Sequence, residues 1–188
     1  MSTTKHPELN AVLAALAEEK EGGHWTKDAF DNDYGWYHLS TPKSLLKAAG
    51  RLAAEGARLT MITAYNTRQP VDAAQDVAYH FEVGRGTLYT LTVSLDQECP
   101  AVDSITSLFP NADWHEREMR ELYGVQVDGH PNPRRLFLDE TLEAGLLGEA
   151  VPLSIMMNGA STTDLWEKIL KDRVLAEQAG STRKEAGS

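Results

Sequence analysis

Leu9, Val12, Leu13 and Leu16 recur at the three-and-four spacing of one helical face, and Gly22-Gly23 follows as a stop. The period then shifts. Residues 36–40 read as a strand, after which Thr41-Pro42 offers a cap and a first-turn proline for a helix. Leu45, Ala49, Leu52 and Ala53 share one face of that helix, and Gly56 ends it. Beyond the apolar segment 58–65, Val77, Tyr79, Phe81 and Val83 alternate with more polar residues, as do Tyr89, Leu91, Val93 and Leu95. Gly84-Arg85-Gly86 between the two runs predicts a hairpin turn. It has no strand-to-helix setting, so it is not a dinucleotide-binding fingerprint.

Further along, residues 102–109 predict a short helix, Pro110-Asn111 breaks it, and Asn111 caps a second helix running through Tyr123. The apolar stretch 151–157 is too short to make its own core. A last helix starts near Asp164, where Glu167 completes a capping-box-like start, and buries Trp166, Ile169, Leu170 and Val174. Gly180 to Ser188 reads as a polar tail. The pattern predicts an α+β fold: a mixed or antiparallel sheet with helices packed mainly on one face, plus an extended C-terminal segment. The expected division is an α+β domain over 1–138 and an extension over 139–188, with a terminal helix that contacts a partner.

Composition narrows the chemistry. The formal charge of −10 on 188 residues argues against a nucleic-acid surface, which needs clustered Lys and Arg. No apolar run reaches the length of a bilayer span, and residues 1–10 lack the basic start and apolar centre of a signal peptide. A cytoplasmic location with protein partners is the expectation. Cys99 is the sole cysteine, so the chain can neither close a disulfide on itself nor supply the cysteine set of an iron-sulfur cluster.

The helix over 112–123 concentrates the candidate chemistry. At 100° per residue Ala112, His115, Met119, Leu122 and Tyr123 share an arc, which predicts the buried face. Asp113 with Arg117 and Glu116 with Arg120 then form acid-before-base pairs on a solvated face, each contributing about 0.2–0.5 kcal/mol. Glu118 sits at the arc's edge beside Glu121 and needs a partner, for which Arg134 and Arg135 are candidates after a turn rich in Gly129, Pro131 and Pro133. One arginine is expected to tie the loop to Glu118 or Glu121, and the other to face a neighbouring subunit. Catalytic readings do worse, because Glu116 and Glu118 point to opposite sides of a helix. A free-standing enzyme using Glu118 and Glu121 as acid and base is the alternative of a different class. His115 and His130 lack zinc-site spacing; a core histidine at 115 and a turn-locking one at 130 are expected.

Glu116-Arg117-Glu118, then Glu121-Leu122-Tyr123, His130 and the Arg134-Arg135 pair fill every position of a longer pattern. That pattern resembles the signature of the thirty-kilodalton subunit family of respiratory complex I (the C subunit of NADH-quinone oxidoreductase), which includes the corresponding subunit of membrane-bound energy-converting nickel-iron hydrogenases. The resemblance implies a cofactor-free subunit with no active site of its own, on the cytoplasmic face of a membrane complex. There it would pack on the large catalytic subunit, alongside iron-sulfur subunits, and support electron transfer coupled to ion translocation. Nickel-iron and iron-sulfur centres, or flavin and quinone, would then sit in those partners. Glu116, Arg117, Glu118, Glu121, His130, Arg134 and Arg135 carry over as signature positions with a structural and interface role. Pro133 stands where leucine is common, and Leu136-Phe137-Leu138-Asp139 replaces the glycine-rich segment usual in complex I members. Both departures point first to the hydrogenase branch, of the formate hydrogenlyase type, with the complex I member as the alternative.

Overall fold

A computed structural model of the chain describes residues 6–18, 23–66, 75–96, 99–138 and 145. The segment 151–157, the helix expected from Asp164 and the polar tail lie outside the described residues.

Three helices and two sheets make up the fold of the described residues. Helix α1 spans Pro7–Leu16 and buries Leu9 and Leu13; Ala17 then bridges to Leu39 instead of extending the helix to the glycines. Strands β1 (His24–Lys27) and β2 (Asp33–His38) form an antiparallel hairpin. Helix α2 (Ser44–Ala54) buries Leu45, Ala48, Ala49 and Leu52. Thr41-Pro42 forms the turn before it, with Ser44 N–H donating to the Thr41 carbonyl. At its far end Gly56, at φ +72°, lets its own N–H reach the Ala53 carbonyl and that of Ala57 reach Leu52, which closes the helix.

Strands β3 (Arg58–Asn66), β4 (Gln75–Glu82) and β5 (Thr87–Ser94) pair antiparallel in succession, and β5 then pairs parallel with β2. The sheet order is therefore β1-β2-β5-β4-β3, which makes it mixed. The strands' period of two sends Tyr37, Tyr79, Phe81, Tyr89, Leu91 and Val93 into one core with the leucines of α1 and α2. On the opposite face Trp36, Thr90, His80 and Met61 line up in register, and Trp36 and Met61 are exposed there. Trp25, paired with Gly35, lies over the missing side chain and meets Tyr37 and Tyr89 edge-on.

The expected helix over 102–109 does not form. Residues Ala101–Asp103 are strand β6, parallel to β7 (Gln126–Asp128), and turns follow. The two strands exchange backbone bonds at both ends, Gln126 N–H to the Pro100 carbonyl and Ser104 N–H to the Asp128 carbonyl. Between them runs helix α3 (Ala112–Tyr123), packed on β3. Asn111 precedes it but does not cap it with its side chain; its amide instead donates to the Leu59 carbonyl and fastens the helix start to the sheet.

Candidate functional site: a charged helix that clamps its own loop

Helix α3 turns two of its carboxylates inward. Glu116 is fully buried, where the arc of apolar residues had predicted a solvated position paired with Arg120. Ala112, Glu116 and Met119 form the buried row, with His115, Leu122 and Tyr123 only half-buried. The reason is local supply of donors. Ser104 Oγ donates to Glu116 at 2.6 Å and the Ile105 N–H at 2.7 Å, both from the turn after β6. His130 Nε2 lies 3.7 Å away, with its side chain 2% exposed. Burial pushes the Glu116 carboxyl above the ordinary range, against the pull of Ser104, Ile105 and His130, and neighbouring Asp113 adds to the rise.

His130 locks the turn, and its two nitrogens have different roles. Nδ1 accepts the Asn132 N–H at 3.0 Å, so Nε2 carries the ring proton and points at the Asp113 carbonyl at 3.3 Å and the Asp113 carboxylate at 3.3 Å. Tyr79 of β4 closes the same region; burial and the charges of Glu116 and Asp103 hold its phenol well above the usual range.

Glu121 is the second inward carboxylate, 3% exposed. Its oxygens accept the N–H groups of Leu136 at 3.1 Å, Phe137 at 2.9 Å and Leu138. Burial raises this carboxyl, but the amides of Phe137, Leu138 and Leu136 and the charge of Arg135 together outweigh it, and the net shift is downward.

The helix arginines hold the other side of the loop. Arg117 Nε donates to the Arg134 carbonyl at 2.8 Å and Nη2 to the Arg135 carbonyl at 2.6 Å, while Arg120 donates to the Pro133 carbonyl. The attraction of Arg135 for Glu121 is within the expectation, but the hydrogen bonds between helix and loop run mainly the other way. Helix side chains grip loop backbone, and Arg134 spends its Nε on the neighbouring Asn132. Of the two helix ion pairs expected, Asp113 with Arg117 forms loosely, at 3.9 Å, and the Glu116–Arg120 pair is replaced by the inward turn of Glu116. Glu118 is half-buried, and Glu121, not Glu118, is the carboxylate that anchors the loop.

Beyond the loop, Gly145 N–H donates to the Glu121 carbonyl at 2.9 Å, filling one of the acceptors a helix end leaves open. Gly124, at φ +73°, lies so close that an added Cβ would stand 3.4 Å from Gly145 Cα. Sequence reasoning gave no role to Ser104 or Gly145, because neither belongs to a recognisable motif; only a glycine following a helix, as at Gly124, carries a local signal.

What this arrangement does chemically is hold a conformation. Glu121's carboxylate is taken up by three amides, and among the described residues no group of three or more His, Cys, Asp or Glu could hold a metal ion. Among those residues no helix is long and apolar enough to cross a membrane.

The profile of the family described as "Respiratory-chain NADH dehydrogenase, 30 Kd subunit" matches residues 39–162. The C subunit of the NADH-quinone oxidoreductase of Mesorhizobium japonicum is 44% identical over 80 residues, which are 42% of this chain and 39% of that protein. The C/D subunit of the NADH-quinone oxidoreductase of Gluconacetobacter diazotrophicus is 37% identical over 111 residues, covering 53% of this chain and 18% of that one. The match thus spans well under half the length of these relatives. Among solved structures, a chain of the membrane-bound sulfane sulfur reductase, an archaeal respiratory membrane complex, superposes with a TM-score of 0.54 at 14% identity, over 71% of this chain and 79% of that one. That likeness concerns the fold. With the signature helix, its clamped loop and most of the mixed sheet inside the matched region, this chain belongs to the thirty-kilodalton subunit family of respiratory-chain NADH dehydrogenase.

Proposed function

We infer that the chain is a docking subunit of a membrane-bound oxidoreductase complex, peripheral on its cytoplasmic side and packed on the large subunit that carries the quinone or nickel-iron site. The observation that carries this reading is the use made of the signature charges. Glu116, Glu121, Arg117 and Arg120 are all bonded to the chain's own backbone or to Ser104, which suits a rigid shaped surface better than catalysis. The lone cysteine supports a reading in which iron-sulfur clusters belong to other subunits. A free-standing enzyme using Glu118 and Glu121 gains no support, since Glu121 is buried and already bonded to three backbone amides.

The first reading is a quinone-linked complex of the NADH-quinone oxidoreductase type, supported by the relatives' names. Those called C/D join the two in one polypeptide, which favours a D-type subunit as the neighbour. The second reading, a nickel-iron energy-converting hydrogenase, is favoured by Pro133 and by Leu136-Phe137-Leu138-Asp139 after the paired arginines. Purifying the tagged chain from gently solubilised membranes of its host, with subunit identification and nickel and flavin assays, separates them. Flavin without nickel supports the first and nickel with a cysteine-bearing large subunit the second. Recovery of the chain without any partner would overturn both.

A further inference from the structure

In a chain of net charge −10, one cleft is strongly basic: Arg117, Arg120, Arg134 and Arg135 line it together with Pro133 and the single acid Glu121. We propose that this cleft receives an aspartate or glutamate side chain of the large partner subunit, a reading that rests on the docking role inferred above. The cleft's own carboxylate offsets only one of the four guanidinium charges, and the oxygens of Glu121 are already occupied by the amides of 136–138.

Each guanidinium has five N–H donors, and the loop carbonyls use few of them. Pro133 takes one donor of Arg120, and Asn132 takes only Nε of Arg134; both arginines are exposed. The bonds to Pro133 and Asn132 orient these two side chains before any partner arrives, which lessens the ordering left to be done on binding. A planar fork matches a carboxylate with two parallel hydrogen bonds, which makes arginine the suitable residue for this contact.

Size and surroundings select a single carboxylate over larger anions. The cleft holds about 100 Å³, against roughly 300–1,000 Å³ for pockets that take cofactors or nucleotides. Asp113 and Glu118 on the same helix, within an acidic molecule, oppose a polyphosphate or an anionic lipid surface far more than one carboxyl group.

The test uses the intact complex from the native host. An Arg134→Lys chain keeps the charge and supplies an amine, and a zero-length carbodiimide then joins it only to a carboxylate in contact. The expected result is a cross-linked peptide between position 134 and an Asp or Glu of the large subunit. In parallel, Arg134→Glu should lower recovery of the chain in the complex by about tenfold or more, while the purified variant melts as the wild type does. Full recovery of Arg134→Glu in the complex, or cross-links from position 134 confined to the chain itself, would overturn the proposal and leave the docking role standing. Wild-type chain that purifies without partners would remove both.

Discussion

Arg117 reaches past the side chain of Arg135 to its backbone: Arg117 Nη2 donates to the Arg135 carbonyl at 2.6 Å, and the Arg135 guanidinium is left to act on Glu121. Two residues of one sign are thus held near each other by a carbonyl dipole, with a separate carboxylate for each charge: Asp113 for Arg117 and Glu121 for Arg135. The loop between Pro133 and Leu138 is gripped on both of its backbone polarities, carbonyls by arginines and amides by Glu121.

Replacing Glu121 by Gln should release the amide half of that grip. A glutamine offers one acceptor oxygen and turns an NH₂ toward donors, so the loss is that of buried charge-assisted bonds, about 2–3 kcal/mol. Urea unfolding of the purified chain measures it, with limited proteolysis of residues 129–138 as the local readout. A variant as stable and as protease-resistant as wild type would show that the amides are not held through this side chain.

The two inward glutamates should respond to pH with opposite signs. Glu116 has a raised folded value, so its contribution is present below the ordinary glutamate value of 4.5 and is lost as pH rises from there through the folded value. Glu121 has a lowered one, so its contribution is present above the ordinary value and is lost as pH falls through the folded value. Denaturant unfolding across a pH series should show a decline on the alkaline side of 4.5 that Glu116→Gln flattens. An unchanged slope in the variant would assign the decline to another group.

Gly124→Ala should cost more than Gly56→Ala. Both glycines stand at nearly the same positive φ, where an L side chain costs about 1–2 kcal/mol. Gly56 faces open space, whereas Gly124 faces the Gly145 backbone. The difference between the two melting shifts isolates the contact with residue 145, and equal shifts would mean that this contact contributes nothing in solution.

Tyr79→Phe tests the buried region beside Glu116. Among the described residues the phenol oxygen has no hydrogen-bond partner, and it is fully desolvated, so its removal should be neutral or stabilise by about 1 kcal/mol. Calorimetry decides. A loss above that size would reveal an ordered partner at this oxygen.

How much of this was readable beforehand follows from where the information lies. Helices α1, α2 and α3 and the β4–β5 hairpin bury residues at their own period, so Leu9 with Leu13 and Tyr79 with Phe81 declare themselves. Strand β1 is mostly exposed and carries no alternation, and β6 is only three residues, too short to show a period of two within the segment 102–109 expected to be a helix. The signature positions were legible, but the direction of Glu116 was not. A helical arc assumes that carboxylates prefer water, and the donors that make burial tolerable, Ser104, the Ile105 amide and His130, come from segments whose approach only the fold defines.

The parallel pairing of β2 with β5 is a seam between two pieces that can otherwise assemble from near neighbours: the β1–β2 hairpin on one side and the β3–β4–β5 meander on the other. Closing it brings Tyr37 beside Leu91 across a long stretch of chain, an entropy cost met only once the meander exists. We expect the meander to form in the folding transition state and the seam after it, so that Leu91→Ala slows refolding while Tyr37→Ala chiefly speeds unfolding; the reverse pattern in stopped-flow kinetics would place the seam first. On that order, a newly made chain exposes the β5 edge to any passing strand until its own N-terminal hairpin arrives.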